Sequence, residues 1–109
     1  MKIQKIKALQ ANTETCCTKT TVKELTTQQT GAPNLNIKLF EMQNGGYSPL
    51  HQHPEKHRLF ITSGKGTVSD GEKTLPIQTD DIVYIEANEP HQLKTVGEEP
   101  LKFICLTIE

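Results

Sequence analysis

Tryptophan is absent and aromatic residues make up only 5% of the chain, so its core has to be built mainly from Ile, Leu and Val. Long apolar runs are missing as well. The longest aliphatic and aromatic stretch is Ile82-Val83-Tyr84-Ile85, far short of the ~20 residues that a membrane-spanning helix needs. Basic excess is missing too. Twelve Lys+Arg stand against thirteen Asp+Glu, a formal net charge of -1, whereas a nucleic-acid or membrane-surface binder needs a basic face. The first ten residues, MKIQKIKALQ, interleave lysine with isoleucine and hold no apolar signal stretch, so a cytoplasmic protein is the expectation. No CxxC pair, internal repeat or low-complexity tract occurs. Cys16, Cys17 and Cys105 cannot all pair, and the adjacent Cys16 and Cys17 would bridge only with strain, so reduced thiols are expected.

What is present is a set of strand signals in a chain of one domain's length, 109 residues. Short runs rich in Ile, Val, Leu, Thr and Phe alternate with Gly, Pro, Asn and Asp clusters. They predict strands at Lys2–Ile6, Thr18–Thr26, Leu35–Met42, Leu50–His53, His57–Thr62, Gly66–Ser69, Lys73–Pro76, Asp81–Ile85, His91–Lys94 and Leu101–Ile108. Reversals are expected at Gly31-Ala32-Pro33-Asn34, Asn44-Gly45-Gly46, Gly64-Lys65-Gly66, Asp70-Gly71, Asp80-Asp81 and Asn88-Glu89-Pro90. Asp70-Gly71 is the strongest hairpin signal, a type I′ candidate. Only Ile6–Asn12 has the composition for a short helix. So many short strands imply an all-β sandwich or barrel.

The chain has four histidines, and three fall within seven residues: His51, His53 and His57. Side chains alternate along a strand, so His51 and His53 share a face. After the break at Pro54, His57 opens a second strand with Leu59 and Ile61 on its own face. A helix starting at Pro54 would also align His53 with His57, but it strands His51, and its Glu is misplaced for a His-Glu-x-x-His zinc helix. The strand reading gives His-x-His-x3-His, three imidazoles from one hairpin-like element. Neutral imidazole is a favoured ligand for first-row transition metals, so a metal site is the expectation.

The pattern resembles the cupin family. Its first motif runs Gly, five residues, His-x-His, three or four residues, Glu, six residues, Gly. Gly45, His51-Gln52-His53, His57 and Gly64 match it throughout, with His57 in the Glu position. The second motif expects Gly, five residues, Pro-x-Gly, two residues, His, three residues, Asn. Here His91 fits, with Asp80, Glu86 and Asn88 in the Gly, Pro and Gly positions and Thr95 in that of the Asn. The resemblance implies a double-stranded β-helix, or jelly roll, over residues 35–108. Residues 1–34 would add N-terminal strands at a homodimer interface built from Ile3, Ile6, Val22 and Leu25. It also implies one divalent metal on His51, His53, His57 and His91. The His-for-Glu change resembles the four-histidine manganese cupins. Resemblance therefore favours Mn or Fe, while ligand softness admits Ni, Zn and Cu.

Remaining residues set the functional expectations. Cys105 shares a strand face with Leu101, Phe103 and Thr107, which puts it either beside the metal or simply in the core. Glu55 is a candidate acceptor for an imidazole N–H, or a solvated turn residue. Tyr84 and Glu86 are the only acid/base candidates near the second motif, and Arg58 should face away from the metal. Lys2, Lys5 and Lys7 read as the guard of an edge strand. Leu59, Ile61 and Phe103 are expected to wall the site. Three functions remain open: a metal-dependent oxidoreductase of dioxygenase type on a small chelating molecule, a non-catalytic module for a metal or small ligand, and an isomerase, which needs an acid/base pair.

Overall fold

Alternating burial along short strands, closed by Gly, Asn and Asp turns, generates the whole architecture. The computed structural model describes residues 1–27 and 30–109. A 3-10 turn over Ile6–Ala8 precedes β1 (Asn12–Thr13), β2 (Thr18–Glu24), β3 (Leu35–Tyr47), β4 (Lys56–Ser63) and β5 (Lys65–Ser69). Then come β6 (Thr74–Gln78), β7 (Ile82–Ile85), β8 (Gln92–Thr95) and β9 (Leu101–Ile108). All pairings are antiparallel, in the order β6-β5-β8-β3-β9-β4-β7, with β2 added to β3 and β1 to β2. The sheet curls on itself as a jelly roll. Among the described residues no helix is long and apolar enough to cross a membrane.

The interior is made of residues of one parity. Leu59 and Ile61 of β4 and Leu101, Phe103 and Cys105 of β9 are buried, with Leu59 paired to Cys105 and Ile61 to Phe103. Met42, Ile77, Ile85 and Leu93 complete the cluster, and Phe40 stacks on Phe103 at 5.2 Å between ring centroids. Val22 also points inward and is buried, so β2 is part of the barrel core and Val22 is not available to a partner as the sequence had suggested.

Several local expectations are corrected. Lys2–Ile6 is not a strand, and the helix candidate at Ile6–Asn12 shrinks to the 3-10 turn. Its last residue, Asn12, instead pairs with Val22. The three early lysines therefore guard no strand edge. Asn44-Gly45-Gly46 does not reverse the chain. Instead β3 runs through it and changes partner, from β9 at Leu35–Met42 to β8 at Tyr47. Gly45 has φ +82, and a Cβ on Gly46 would lie 2.6 Å from Met42 Cγ, so only glycine turns this corner. Asp70-Gly71 does close the β5–β6 hairpin, but Ser69 pairs with Thr74 across a four-residue loop. Asp70 Oδ1 accepts the backbone N–H of Glu72 (2.8 Å) and of Lys73 (2.7 Å), which makes an Asx turn. Type I′ geometry needs positive φ at both central residues; Gly71 has it and Asp70 does not.

Candidate metal centre

Two strand ends and one bridge assemble the histidines. Leu50–His53 is not a strand, because Pro49 and Pro54 interrupt pairing on both sides. Only His51 pairs, exchanging both backbone bonds with His91 (3.1 and 2.9 Å). That pair sets the two imidazoles edge to face, 4.6 Å apart. His53 is held by its carbonyl, which accepts the N–H of Asn88 at 2.7 Å. Asn88 can make this approach because it adopts φ +61 where the motif has glycine, and Asp80 likewise takes φ +77. The missing glycines therefore leave the turns intact.

One ligand atom from each of His51, His53 and His91 lies within 4.8 Å of the others, so these three could hold a metal ion. His57 enters from β4, with its ring 4.3 Å from that of His53 and 5.9 Å from that of His91. Its Nε2 sits 3.1 Å from both nitrogens of His53, so it faces the cluster without being committed to either. All four rings line one cavity of about 350 Å³.

Hydrogen bonds decide which nitrogen faces inward. His91 Nδ1 donates to the Glu89 carbonyl at 2.8 Å, leaving Nε2 with a free lone pair. His57 Nδ1 lies 3.2 Å from Thr107 Oγ1 and 3.2 Å from Cys105 Sγ, because β4 pairs His57 with Thr107 on β9. Burial disfavours the charged ring. It is the first cause of the lowered pKa of His51 and His91, and with the nearby His53 and His91 it takes His57 down to about 4. Unprotonated imidazoles with lone pairs converging in an apolar cavity are the chemistry a divalent ion requires, so the residues fit.

The wall of the cavity is Phe40, Met42, Leu59, Ile85, Leu93 and Phe103; of the expected wall residues, Ile61 stays in the core. Phe40 and Met42 were missed, although their shared parity in the predicted strand Leu35–Met42 was a usable signal. Cys105 is both buried and at the site, and burial pushes its thiol pKa up. Glu55 stands 3.7 Å from His53 Nδ1, within ion-pair reach but beyond a hydrogen bond. Tyr84 and Glu86 do not reach the cavity. On the outer face Arg58 lies over the Tyr84 ring at 5.1 Å and donates to Glu86 at 3.2 Å, so it turns away from the histidines as expected. Glu14, Cys16 and Cys17 also line the cavity. They come from the segment before β2, and nothing in their local pattern announced it.

Known proteins share this fold. A 1-methylthio-D-xylulose 5-phosphate methylsulfurylase from Rhodospirillum rubrum is 30% identical over 70 residues, which are 64% of this chain and 45% of that protein. The chain spans about half the length of the curated relatives it matches. Among solved structures, a predicted oxalate decarboxylase from Thermotoga maritima superposes with a TM-score of 0.89 at 18% identity, covering 98% of both chains. The polyketide cyclase RemF from Streptomyces resistomycificus gives a TM-score of 0.88 at 22% identity, over 99% of this chain and 79% of its own. At these identities the structures speak for the fold alone. The family profile described as "Cupin domain" matches residues 38–107, well over half of the sequence, and by that match the chain belongs to the cupin family.

Proposed function

We propose that the protein binds one divalent transition metal through His51, His53, His57 and His91, with Mn or Fe favoured over Ni, Zn and Cu. With it, the protein acts as an oxidoreductase of dioxygenase type on a small chelating organic molecule. The observation that supports this is the convergence of four imidazoles in an apolar cavity whose only carboxylate, among the described lining residues, is Glu14. Such a ligand set leaves the ion its full double charge, which selects an anionic chelate. When bound, the metal would supply Lewis acidity and, as Mn or Fe, a redox partner for dioxygen.

The chain's own residues position and shield. His91 and His57 are aimed by the Glu89 carbonyl and the Thr107 hydroxyl. Phe40, Leu59, Leu93 and Phe103 exclude water and suit a flat organic ligand better than a sugar. No Lys or Arg is among the described lining residues, so the phosphate in the name of the Rhodospirillum rubrum relative has no basic partner here. An isomerase is disfavoured because Tyr84 and Glu86 stand outside the cavity. The same lack of a placed acid/base pair favours, as second reading, a non-catalytic module that only holds metal or ligand.

Elemental analysis should find one divalent ion per chain, and His91→Ala should lower metal affinity at least about tenfold, since one of four donors is removed. Wild-type affinity in that variant would reject the four-ligand set. Oxygen uptake by Fe- or Mn-loaded protein on a β-diketonate, catecholate or flavonolate, lost on metal removal, is the expected enzymatic result. Tight chelator binding without turnover under any metal would leave the binding module.

A further inference from the structure

Cys16 and Cys17 are not explained by a histidine metal site, yet they line the same cavity. They sit in the turn between β1 and β2. Cys17 N–H donates to the Glu14 carbonyl at 3.3 Å and Cys16 N–H to Glu14 Oε1 at 3.4 Å. This turn brings the two sulfurs to 3.2 Å of each other. Cys16 is exposed and Cys17 half-buried, so the pair is open to small molecules from the mouth of the cavity.

We propose that Cys16 and Cys17 form a dithiol binding site for a trivalent, thiophilic centre of the organoarsenical class, at the mouth of the histidine cavity. Three alternatives fit less well. A disulfide between neighbours is strained, because Cα atoms about 3.8 Å apart across a trans peptide fall short of the usual ~4.4–6.8 Å. A tetrahedral zinc with Zn–S bonds of about 2.3 Å holds its sulfurs about 3.8 Å apart. The sulfurs, in hydrogen-bond contact at 3.2 Å, stand closer than that, and a trivalent centre with bond angles near ~90° bridges them with less movement than zinc. A nucleophilic redox pair would need a thiolate, and both thiols are shifted the other way. Burial raises the pKa of Cys16, and burial with the neighbouring Cys16 takes Cys17 up to about 12.

Neutral thiols suit condensation. In R–As(OH)2, two As–O bonds break and two As–S bonds form. Each hydroxyl leaves as water with the proton of one thiol, and neither arsenic nor sulfur changes oxidation state.

Phenylarsine oxide and metal-free protein test the proposal, with intact-mass measurement as the readout. The expected product is a 1:1 adduct of two sulfurs with one phenylarsenic unit. A small dithiol should reverse it readily, and a monothiol only at concentrations higher by about a hundredfold or more, the usual gain of two-point attachment. Cys16→Ser and Cys17→Ser should each abolish this resistance to monothiols, while Cys105→Ala retains it. Circular dichroism on each variant confirms the fold. An adduct that survives in the Cys16→Ser/Cys17→Ser double variant, or one lost only with Cys105→Ala, would overturn the proposal. These outcomes are read without metal, so they stand apart from whether the histidines bind one.

Discussion

His57 is the residue that decides whether the proposed site has three ligands or four. Three histidines cluster on their own, and His57 stands beside them with its Nδ1 held on the far side by Thr107 and Cys105. Thr107→Val keeps the volume and the β-branching but removes the oxygen. Metal affinity should fall about ten- to a hundredfold, as it does when the partner of a ligating histidine is lost. Competition with a chromogenic chelator measures it, and unchanged circular dichroism excludes misfolding. Wild-type affinity would mean that the Thr107 hydroxyl does not position His57 for a metal. The histidines were legible as a group from their spacing, although His51 sits on an isolated bridge and His53 in a loop rather than on one strand face. Thr107 as their partner was not, since it depends on which strand lies beside β4, and alternation within one strand carries no information about its neighbour.

Elements were legible wherever one face is buried and the other wet. Leu101–Ile108 was read with the bounds it has, and β4 and β7 were read to within one residue at each end. The failures share a cause: local turn chemistry was overruled by tertiary pairing. Leu50–His53 has the composition of a strand but proline on both sides, and Asn44-Gly45-Gly46 has that of a turn but lies within β3. Gly46 is the element-scale test. A methyl group there would meet not only Met42 Cγ but also the carbonyl oxygens of Gln43 (2.8 Å) and Thr18 (2.9 Å), neither of which can swing aside. Gly46→Ala should therefore destabilise the fold by about 1–3 kcal/mol, as overpacking does. In urea the midpoint should drop with the slope unchanged. An unchanged midpoint would show that the corner has more room than its close contacts allow.

At the scale of the molecule, the outer face of β7, β4 and β9 exposes several apolar side chains. Ile82 (47% exposed), Tyr84 (64%), Phe60 (37%) and Ile108 (38%) lie on adjacent strands, with Phe60 paired to Ile82. We propose that this face, with the exposed Ile3 and Ile6, meets a second copy across a two-fold axis. Sedimentation equilibrium should give twice 12.2 kDa at micromolar concentration, and a mass of 12.2 kDa would reject the dimer. The charge state of the cavity supplies a second whole-molecule test. Burial, the first cause in each case, lowers the pKa of His51, His57 and His91 in the folded chain, with His57 at about 4. Unfolding returns each to about 6.5. Above that value both states are neutral and stability does not depend on these groups. Below it the unfolded chain takes up protons that the folded cavity refuses, so stability is lost as pH falls from about 6.5 towards about 4. Thermal unfolding of metal-free protein across that range should show the decline, and His57→Gln should flatten it. A wild-type decline matched by His57→Gln would show that His57 carries none of the dependence.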